Sequence, residues 1–272
     1  MSWLTALSLL RQERKPGVLV TVTEVRGHAP RAAGAKMVVG TDRTWGSIGG
    51  GNLESVAIDR ARQLLGDRAP GTEVLTFDLS DKAPYQNGVQ CCGGQVSVLL
   101  DPLPVPPVIA IFGMGHVGME LARILARHEL DLHLVDSRPE LLTDALLAPL
   151  ADGPAHVHAH PVPVLPELVL GELPPGAHVL VMTHDHAEDH AIIDAALRQD
   201  GLATIGLIGS TAKWGRFRKR LLAEGGFSES DLSRVTTPIG LPQLGGKDPA
   251  VIAVSVAAAL LQTVSTTIEV TA

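Results

Sequence analysis

The sequence predicts an α/β protein in which a small N-terminal α/β domain precedes a Rossmann-like domain with a doubly wound parallel sheet. From residue 108 onward, continuous apolar strands alternate with amphipathic helices, a pattern typical of parallel strands covered by helices on both faces. A glycine-rich turn joins the first of these strands to the first helix. The proline-rich segment 102–107 predicts a stiff linker, which places the two domains at 1–101 and 108–272.

In the first domain, β-branched and apolar runs predict strands, and helically spaced Leu, Val and Ala predict one helix. The predicted strands are 18–25, 36–39, 73–77 and 95–100, and the predicted helix is 52–65. Asn52 is suited to cap that helix. The N-terminal segment places Trp3, Leu7 and Leu10 on one helical face, and its charges follow its apolar part, the wrong order for a signal peptide.

In the second domain, the same reasoning predicts four strands and four helices. The strands are 108–112, 132–135, 179–182 and 203–208, and the helices are 117–127, 187–198, 212–223 and 248–262. The third helix begins with the basic run KWGRFRKR, from Lys213 to Arg220, which we interpret as one solvated helix face.

Composition and charge exclude several functional classes. The 272 residues carry a net charge of −7 without a dense basic run, which argues against nucleic-acid binding. No apolar run reaches about 18 residues, so no membrane span is predicted. A reducing cytoplasm is the expected compartment, where structural disulfides are rare. The sequence carries no signal for the oligomeric state, and a homodimer is our working expectation.

The glycine-rich turn of the second domain has the dinucleotide-binding pattern in its usual strand–turn–helix context. Gly113 permits the tight turn, Gly115 lets a phosphate approach the backbone beside His116, and Gly118 lets the helix pack on the strand. A phosphate-bearing ligand is therefore predicted. If that ligand is a nicotinamide dinucleotide, Asp136 at the end of the next strand would hold a ribose diol.

The segment THDHAEDH (183–190) follows a predicted parallel strand. It is superficially similar to the metallo-β-lactamase ligand run, but it has one residue too many and a different fold context, which disfavours a zinc hydrolase. Asp185 and Glu188 have the spacing of a helix cap and its reciprocal partner, and His190 has the position of a packed side chain. His184 and His186 lie where doubly wound sheets bind ligands, so we predict ligand contact or proton handling there.

Two glycine-rich stretches mark the first domain. Gly49, Gly50 and Gly51 precede a helix and leave backbone exposed for an anion or for close packing. The only cysteines, Cys91 and Cys92, are neighbours, and their Cα atoms, about 3.8 Å apart, are too close for an ordinary disulfide. A zinc site needs further thiols. Small buried side chains and reactive or metal-binding thiolates both remain open.

Together these motifs resemble the xanthine dehydrogenase accessory protein family, XdhC with the related CoxI group, nearly end to end. The matching segments are GHAPRAAGAKMVV (27–39), GSIGGGNLE (46–54), QCCGG (90–94), FGMGHVG (112–118), VDSRPE (135–140), VMTHDH (181–186), GLIGS with Lys213 (206–213), PIGL (238–241) and DPAVIAVSVAA (248–258).

The resemblance implies a molybdenum-cofactor chaperone and not an enzyme. Such proteins bind the molybdopterin cofactor, protect it while a cysteine desulfurase provides a terminal sulfido ligand, and deliver it to apo xanthine dehydrogenase. In this family Cys92 matches the cysteine before Gly-Gly and Cys91 the additional thiol, which makes both candidate molybdenum ligands. The glycine-rich loop and the Thr-His-Asp-His segment match as well. The main alternative is an NAD(P)-dependent oxidoreductase, with His184 or His186 as acid or base.

Overall fold

The computed structural model describes residues 1–66, 71–79 and 94–270, in two compact units. The first unit comprises residues 1–105 together with the described residues from 265 onward, and the second comprises residues 106–264. The elements of the first unit are α1 (Trp3–Gln12), β1 (Gly17–Arg26), β2 (Lys36–Gly40), β3 (Thr44–Gly46), α2 (Gly51–Gly66), β4 (Glu73–Asp78) and β5 (Gln95–Leu103).

The first unit is an antiparallel sheet with a helix on each face. Its strand order is β3-β2-β1-β5-β4. Helix α2 buries Leu53, Ala57 and Ala61, which recur at helical spacing, against one face of the sheet. Helix α1 packs against the other face, where Leu10 meets Val38. The predicted small α/β domain is confirmed.

The segment predicted as a linker begins inside this sheet. Strand β5 runs through Leu103, and Pro102 lies opposite Val18 of β1. The pairing of β5 with β4 ends at Leu100, so among the described residues Pro102 has a neighbouring strand on one side only. A proline, which lacks an N–H group, is tolerated at such an edge position.

The second unit alternates strands and helices. Its elements are β6 (Val108–Phe112), α3 (His116–Leu125), β7 (Asp131–Asp136), α4 (Asp144–Leu147), β8 (His156–Pro161), β9 (His178–Val181), α5 (His186–Leu197), β10 (Thr204–Leu207), α6 (Thr211–Glu224), α7 (Glu229–Leu232), β11 (Val235–Thr236) and most of α8 (Pro249–Val270).

The strands of the second unit form one parallel sheet in the order β8-β7-β6-β9-β10-β11. In chain order this is 3-2-1-4-5-6, the Rossmann arrangement of two mononucleotide-binding halves. The order reverses between β6 and β9, and folds of this kind bind ligands outside the carboxyl ends of the strands at that switch point. The predicted Rossmann-like domain is confirmed.

Alternating side chains of β6 reach the two layers of helices that cover this sheet. Ile109 and Ile111 enter a core shared with α3 and α8, whereas Ala110 and Phe112 enter a second core shared with α5 and α6. All five residues of β6 are buried, because a central parallel strand is covered on both faces. No helix in the described part of the chain has the length and apolar character needed to cross a membrane.

Candidate functional site

The turn after β6 depends on glycine at its first and last glycine positions. Gly113 has φ +109°, and a Cβ added there would lie 2.3 Å from the Met182 carbonyl oxygen at the end of β9. A Cβ at Gly118 would lie 2.0 Å from the Gly113 carbonyl oxygen. The two glycines therefore let the turn close tightly between β9 and the first turn of α3.

Gly115 is different, because the chain itself does not require glycine there. Its φ is −67°, and a Cβ at this position would meet no described atom of the chain within 4 Å. It occupies the N-cap of α3 without a side-chain hydrogen bond to the helix, and His116 beside it is exposed. The space a side chain would fill lies at the positive end of the α3 dipole, which suits a phosphate.

Asp136 ends β7 beside this turn but is engaged within the chain. Its Oδ2 accepts the Met114 N–H at 2.6 Å, and both carboxylate oxygens accept from the Arg138 guanidinium at 2.9 Å. Oδ1 also accepts the Arg138 backbone N–H, and only 2% of Asp136 is exposed. Burial alone would raise the pKa of Asp136, but these hydrogen bonds outweigh it and hold that pKa below its ordinary value.

A buried ion pair lies beneath the turn that follows β9. Lys213 of α6 donates to Oδ2 of Asp189 on α5, and both side chains are almost fully buried. Oδ1 of Asp189 accepts the Thr183 backbone N–H at 2.9 Å and the Thr183 hydroxyl at 2.8 Å. Lys213 also donates to the Ile208 carbonyl at 2.9 Å. This network joins the ends of β9 and β10 to α5 and α6.

The interpretation of Lys213 as part of a solvated basic face is therefore wrong. Asp189 shares a helical stripe with the buried Ile192 and Ile193, and Lys213 shares one with the buried Phe217. The sequence did contain a signal for this pair, because each of the two helices has one charged residue on its apolar stripe. The surrounding basic residues of α6 concealed it.

The predicted cap of α5 is confirmed, but its reciprocal half is not. Oδ1 of Asp185 accepts the N–H groups of Ala187 and Glu188, which lower the Asp185 pKa. The Asp185 N–H donates to the Thr183 hydroxyl at 3.2 Å instead of the Glu188 side chain. Because this cap fixes the turn, the exposed His184 is held at the carboxyl edge of the sheet.

The three histidines of the segment differ in surroundings. His184 and His186 are exposed, and the ring of His186 lies 6.5 Å from the Phe217 ring. His190 is half-buried against Phe217, with ring centroids 5.2 Å apart, as predicted for a packed side chain. Burial is the largest cause of the lowered pKa of His190. His184 and His186 are therefore the two available to a ligand.

In the first unit, the glycine run before α2 is already occupied by an anion of the chain. Oε2 of Glu54 accepts from the Ser47 hydroxyl at 2.6 Å, the Ile48 N–H at 3.1 Å and the Gly50 N–H at 3.0 Å. The Gly49 N–H donates to the Ser47 hydroxyl. The N–H groups of Gly49 and Gly50 are therefore hydrogen-bonded within the chain, and cofactor contact by Gly49, Gly50 and Gly51 stays a prediction.

Glu54 also replaces Asn52 as the residue that closes the start of the helix. Helix α2 begins at Gly51, so Asn52 lies inside it and is not its N-cap. The Asn52 Oδ1 is buried without a hydrogen-bond partner among the described residues. Burial raises the pKa of Glu54, but its hydrogen bonds outweigh burial and lower that pKa overall.

The predicted metal-binding cysteines, Cys91 and Cys92, lie outside the described residues. Within residues 1–66, 71–79 and 94–270, no group of three or more His, Cys, Asp or Glu side chains is arranged to hold a metal ion. The described part of the site is thus a glycine turn at a helix N-terminus, with two exposed histidines at the same edge of the sheet.

Comparisons with known proteins match both units. Residues 109–260 match the XdhC Rossmann domain, and residues 10–78 match the XdhC and CoxI family. The chain is 27% identical over 266 residues to the uncharacterized protein YqeB of Escherichia coli, covering 96% of this chain and 46% of that protein.

Two further relatives carry descriptive names. A Bacillus subtilis protein named as a probable xanthine dehydrogenase subunit is 32% identical over 159 residues, covering 58% of this chain and 43% of that protein. The molybdenum cofactor insertion chaperone PaoD of Escherichia coli is 34% identical over 99 residues, covering 36% of this chain and 30% of that protein. The chain spans less than half the length of each of these three relatives.

Proposed function

The chain belongs to the XdhC and CoxI family, and from this membership we propose that it is a molybdenum-cofactor chaperone. It binds the molybdopterin cofactor as cargo, holds it while a cysteine desulfurase supplies the terminal sulfido ligand, and delivers it to an apo molybdenum hydroxylase such as xanthine dehydrogenase. The protein acts as an accessory factor, as a homodimer, and the redox chemistry of the molybdenum centre belongs to the recipient enzyme.

The observation that carries this proposal is the cradle at Gly115. Molybdopterin bears a phosphate, and the turn from Gly113 to Gly118 offers unobstructed backbone at a helix N-terminus. His184 and His186 lie at the carboxyl edge of the same sheet, where they can donate hydrogen bonds to a bound anion. The dithiolene-bound molybdenum suits soft thiolate ligands, a role that we assign to Cys92 and, second, to Cys91.

Replacing Cys92 with serine is expected to reduce cofactor retention or sulfuration sharply, because a hydroxyl is a far poorer ligand for a soft metal than a thiolate. Cys91→Ser is expected to have a smaller effect. The measurement is the molybdenum and pterin content per chain after purification from cells that synthesise molybdopterin, followed by activation of an apo molybdenum hydroxylase. Protein from cells unable to make the pterin gives the background. Full molybdenum content together with full activation by Cys92→Ser would exclude this role.

An NAD(P)-dependent oxidoreductase is the second candidate, and the state of Asp136 weighs against it. A dinucleotide enzyme of this fold uses the acidic residue at this position for a ribose diol, whereas here Arg138 and Met114 already occupy the carboxylate. We therefore expect no enhancement of NADH fluorescence at micromolar protein and nucleotide. Enhancement with the wild-type chain would favour the oxidoreductase.

Arg138→Ala is expected to create measurable NADH binding, because it removes the guanidinium from both carboxylate oxygens of Asp136 and leaves Oδ1 with only the backbone N–H of residue 138. The matched control is Arg123→Ala, which removes an exposed arginine paired with Glu120 on α3 and leaves Asp136 engaged. Both variants are titrated with NADH by fluorescence. Equal behaviour of the two variants would show that Arg138 does not control access to Asp136.

A further inference from the structure

A cavity of about 520 Å³ lies beyond the carboxyl end of β10, within the second unit. Its wall consists of the residues that directly follow β10, the loop 238–247 and the first turns of α8. The volume falls in the range of about 300–1,000 Å³ that small-molecule sites occupy in proteins. The glycine turn and the two histidines of the candidate site are not among its lining residues.

Two part-buried hydrogen bonds between Ser255 and Leu241 anchor the wall of this cavity. The Ser255 hydroxyl of α8 accepts the Leu241 N–H at 2.8 Å and donates to the Leu241 carbonyl at 3.3 Å. Gly240 has φ +92°, and a Cβ there would lie 2.6 Å from the Ser255 Oγ. Since Ser255 is only 4% exposed, the loop is anchored to the helix and the cavity is part of the folded unit.

The lining is mainly apolar with one cation. The apolar side chains include Ile208, Ile239, Leu241, Leu244 and Ile252. Lys247 is the one charged residue in the lining, and it has no ion-pair partner among the described residues. Such a lining suits a flat aromatic heterocycle whose faces pack on the aliphatic side chains and whose carbonyl edge meets the cation.

A second lysine, Lys213, contacts the lining residue Ile208 but adds no net charge to the cavity. Lys213 donates to the Ile208 carbonyl, and its charge is compensated by Asp189. Gly209 allows this approach, because a Cβ there would lie 2.6 Å from the Lys213 Cδ. Lys247 is therefore the one uncompensated charge among the described residues that line the cavity.

The two sides of the glycine turn are not equivalent for a ligand bound there. On the β7 side, both oxygens of the Asp136 carboxylate are hydrogen-bonded to Arg138 and are not available to a ligand. The other side leads past β9 toward β10 and the cavity. The strands β6 and β10 flank β9, so their axes are about 10 Å apart at two strand spacings. A fused-ring compound with a phosphate-bearing substituent covers such a span.

We propose that this cavity binds the fused pyrimidine ring of the ligand whose phosphate lies on the turn from Gly113 to Gly118, with Lys247 at the polar edge of that ring. The proposal rests on the proposed function and adds the direction in which the ligand lies. Pterin and guanine share the 2-amino-4-oxopyrimidine ring, so the chemistry of the site fits both. The ligand arms of the test distinguish a pterin from a purine nucleotide.

The test uses the full chain and two probes, fluorescent pterin-6-carboxylate and guanosine monophosphate. Pterin-6-carboxylate is expected to bind the wild-type chain, and Lys247→Glu is expected to weaken that binding at least tenfold. Ile252→Trp, which fills the cavity from α8, is expected to weaken it as well. Lys219→Glu is the matched control, because it makes the same charge change at an exposed position of α6 and leaves binding unchanged.

The outcomes separate the site from the chaperone role. If guanosine monophosphate binds, the pterin does not, and Lys247→Glu abolishes the binding, the cavity is supported as the site of the fused pyrimidine ring. Its occupant is then a nucleotide. Equal binding of a probe by wild type and by both cavity variants, or binding of neither probe, overturns the proposal. If either of these overturning results is obtained but the chain purified from cells still carries molybdenum and pterin, the proposed function stands and only the cavity is excluded as the ring-binding site.

Discussion

Replacing Lys213 with methionine is expected to lower the free energy of unfolding by about 3–5 kcal/mol, because it leaves the Asp189 carboxylate buried without a counter-charge. The double variant Asp189→Asn with Lys213→Met is expected to recover much of that loss. It removes both charges, and the asparagine oxygen can still accept from Thr183. The measurement is urea denaturation followed by circular dichroism.

The control for this prediction is an ion pair on the surface of the same helix. Arg220 and Glu224 of α6 are paired at 3.0 Å, but both side chains are more than half exposed. Glu224→Gln is expected to change the stability by less than about 1 kcal/mol. A similar loss in Lys213→Met and Glu224→Gln would show that burial does not amplify the Lys213–Asp189 interaction.

Alanine at Gly118 is expected to destabilise the second unit by about 3 kcal/mol or more, because its Cβ would lie 2.0 Å from the Gly113 carbonyl oxygen. That oxygen belongs to the backbone of a closed turn and cannot move aside without opening it. The turn would lose its contact with the end of β9, so cofactor retention is expected to fall together with stability. Thermal unfolding and molybdenum content are both measured.

Gly115→Ala separates ligand binding from folding at the same turn. It is expected to cost less than about 1 kcal/mol of stability, because its Cβ meets no described atom within 4 Å. The methyl group would still occupy the cradle, so we expect pterin and molybdenum to be lost from a fully folded chain. Retention of the cofactor by Gly115→Ala would show that the phosphate lies elsewhere.

The fold of the second unit was predictable because its strands are buried on both faces. The run Val108–Phe112 is continuously apolar, and its predicted and observed limits coincide. Strand β8, in contrast, was not predicted. Its sequence HVHAHP lies at the edge of the sheet with most side chains exposed, and it has no apolar run. Its alternation is a weak signal, because the apolar positions are one valine, one alanine and a proline.

Prediction of the site was limited by hydrogen bonds between residues that are distant in sequence. The glycines of the turn could be identified because their spacing follows from local backbone geometry. The pairing of Asp189 with Lys213 depends on how α5 and α6 pack, which the sequence pattern alone does not specify. Asp136 was correctly located at the end of β7, but its engagement by Arg138 depends on a side-chain conformation.

The two glycine turns of the chain look alike in sequence, but the carboxylates bonded to them differ in how their charge is compensated. A phosphate that approached the turn before α2 would meet a like charge already bonded to the N–H groups of Ile48 and Gly50. The turn before α3 also binds a carboxylate of the chain, because Asp136 accepts the Met114 N–H, but there the negative charge is compensated by Arg138. We therefore expect the turn before α3, where the carboxylate is paired with an arginine, to repel a phosphate less than the turn before α2 does.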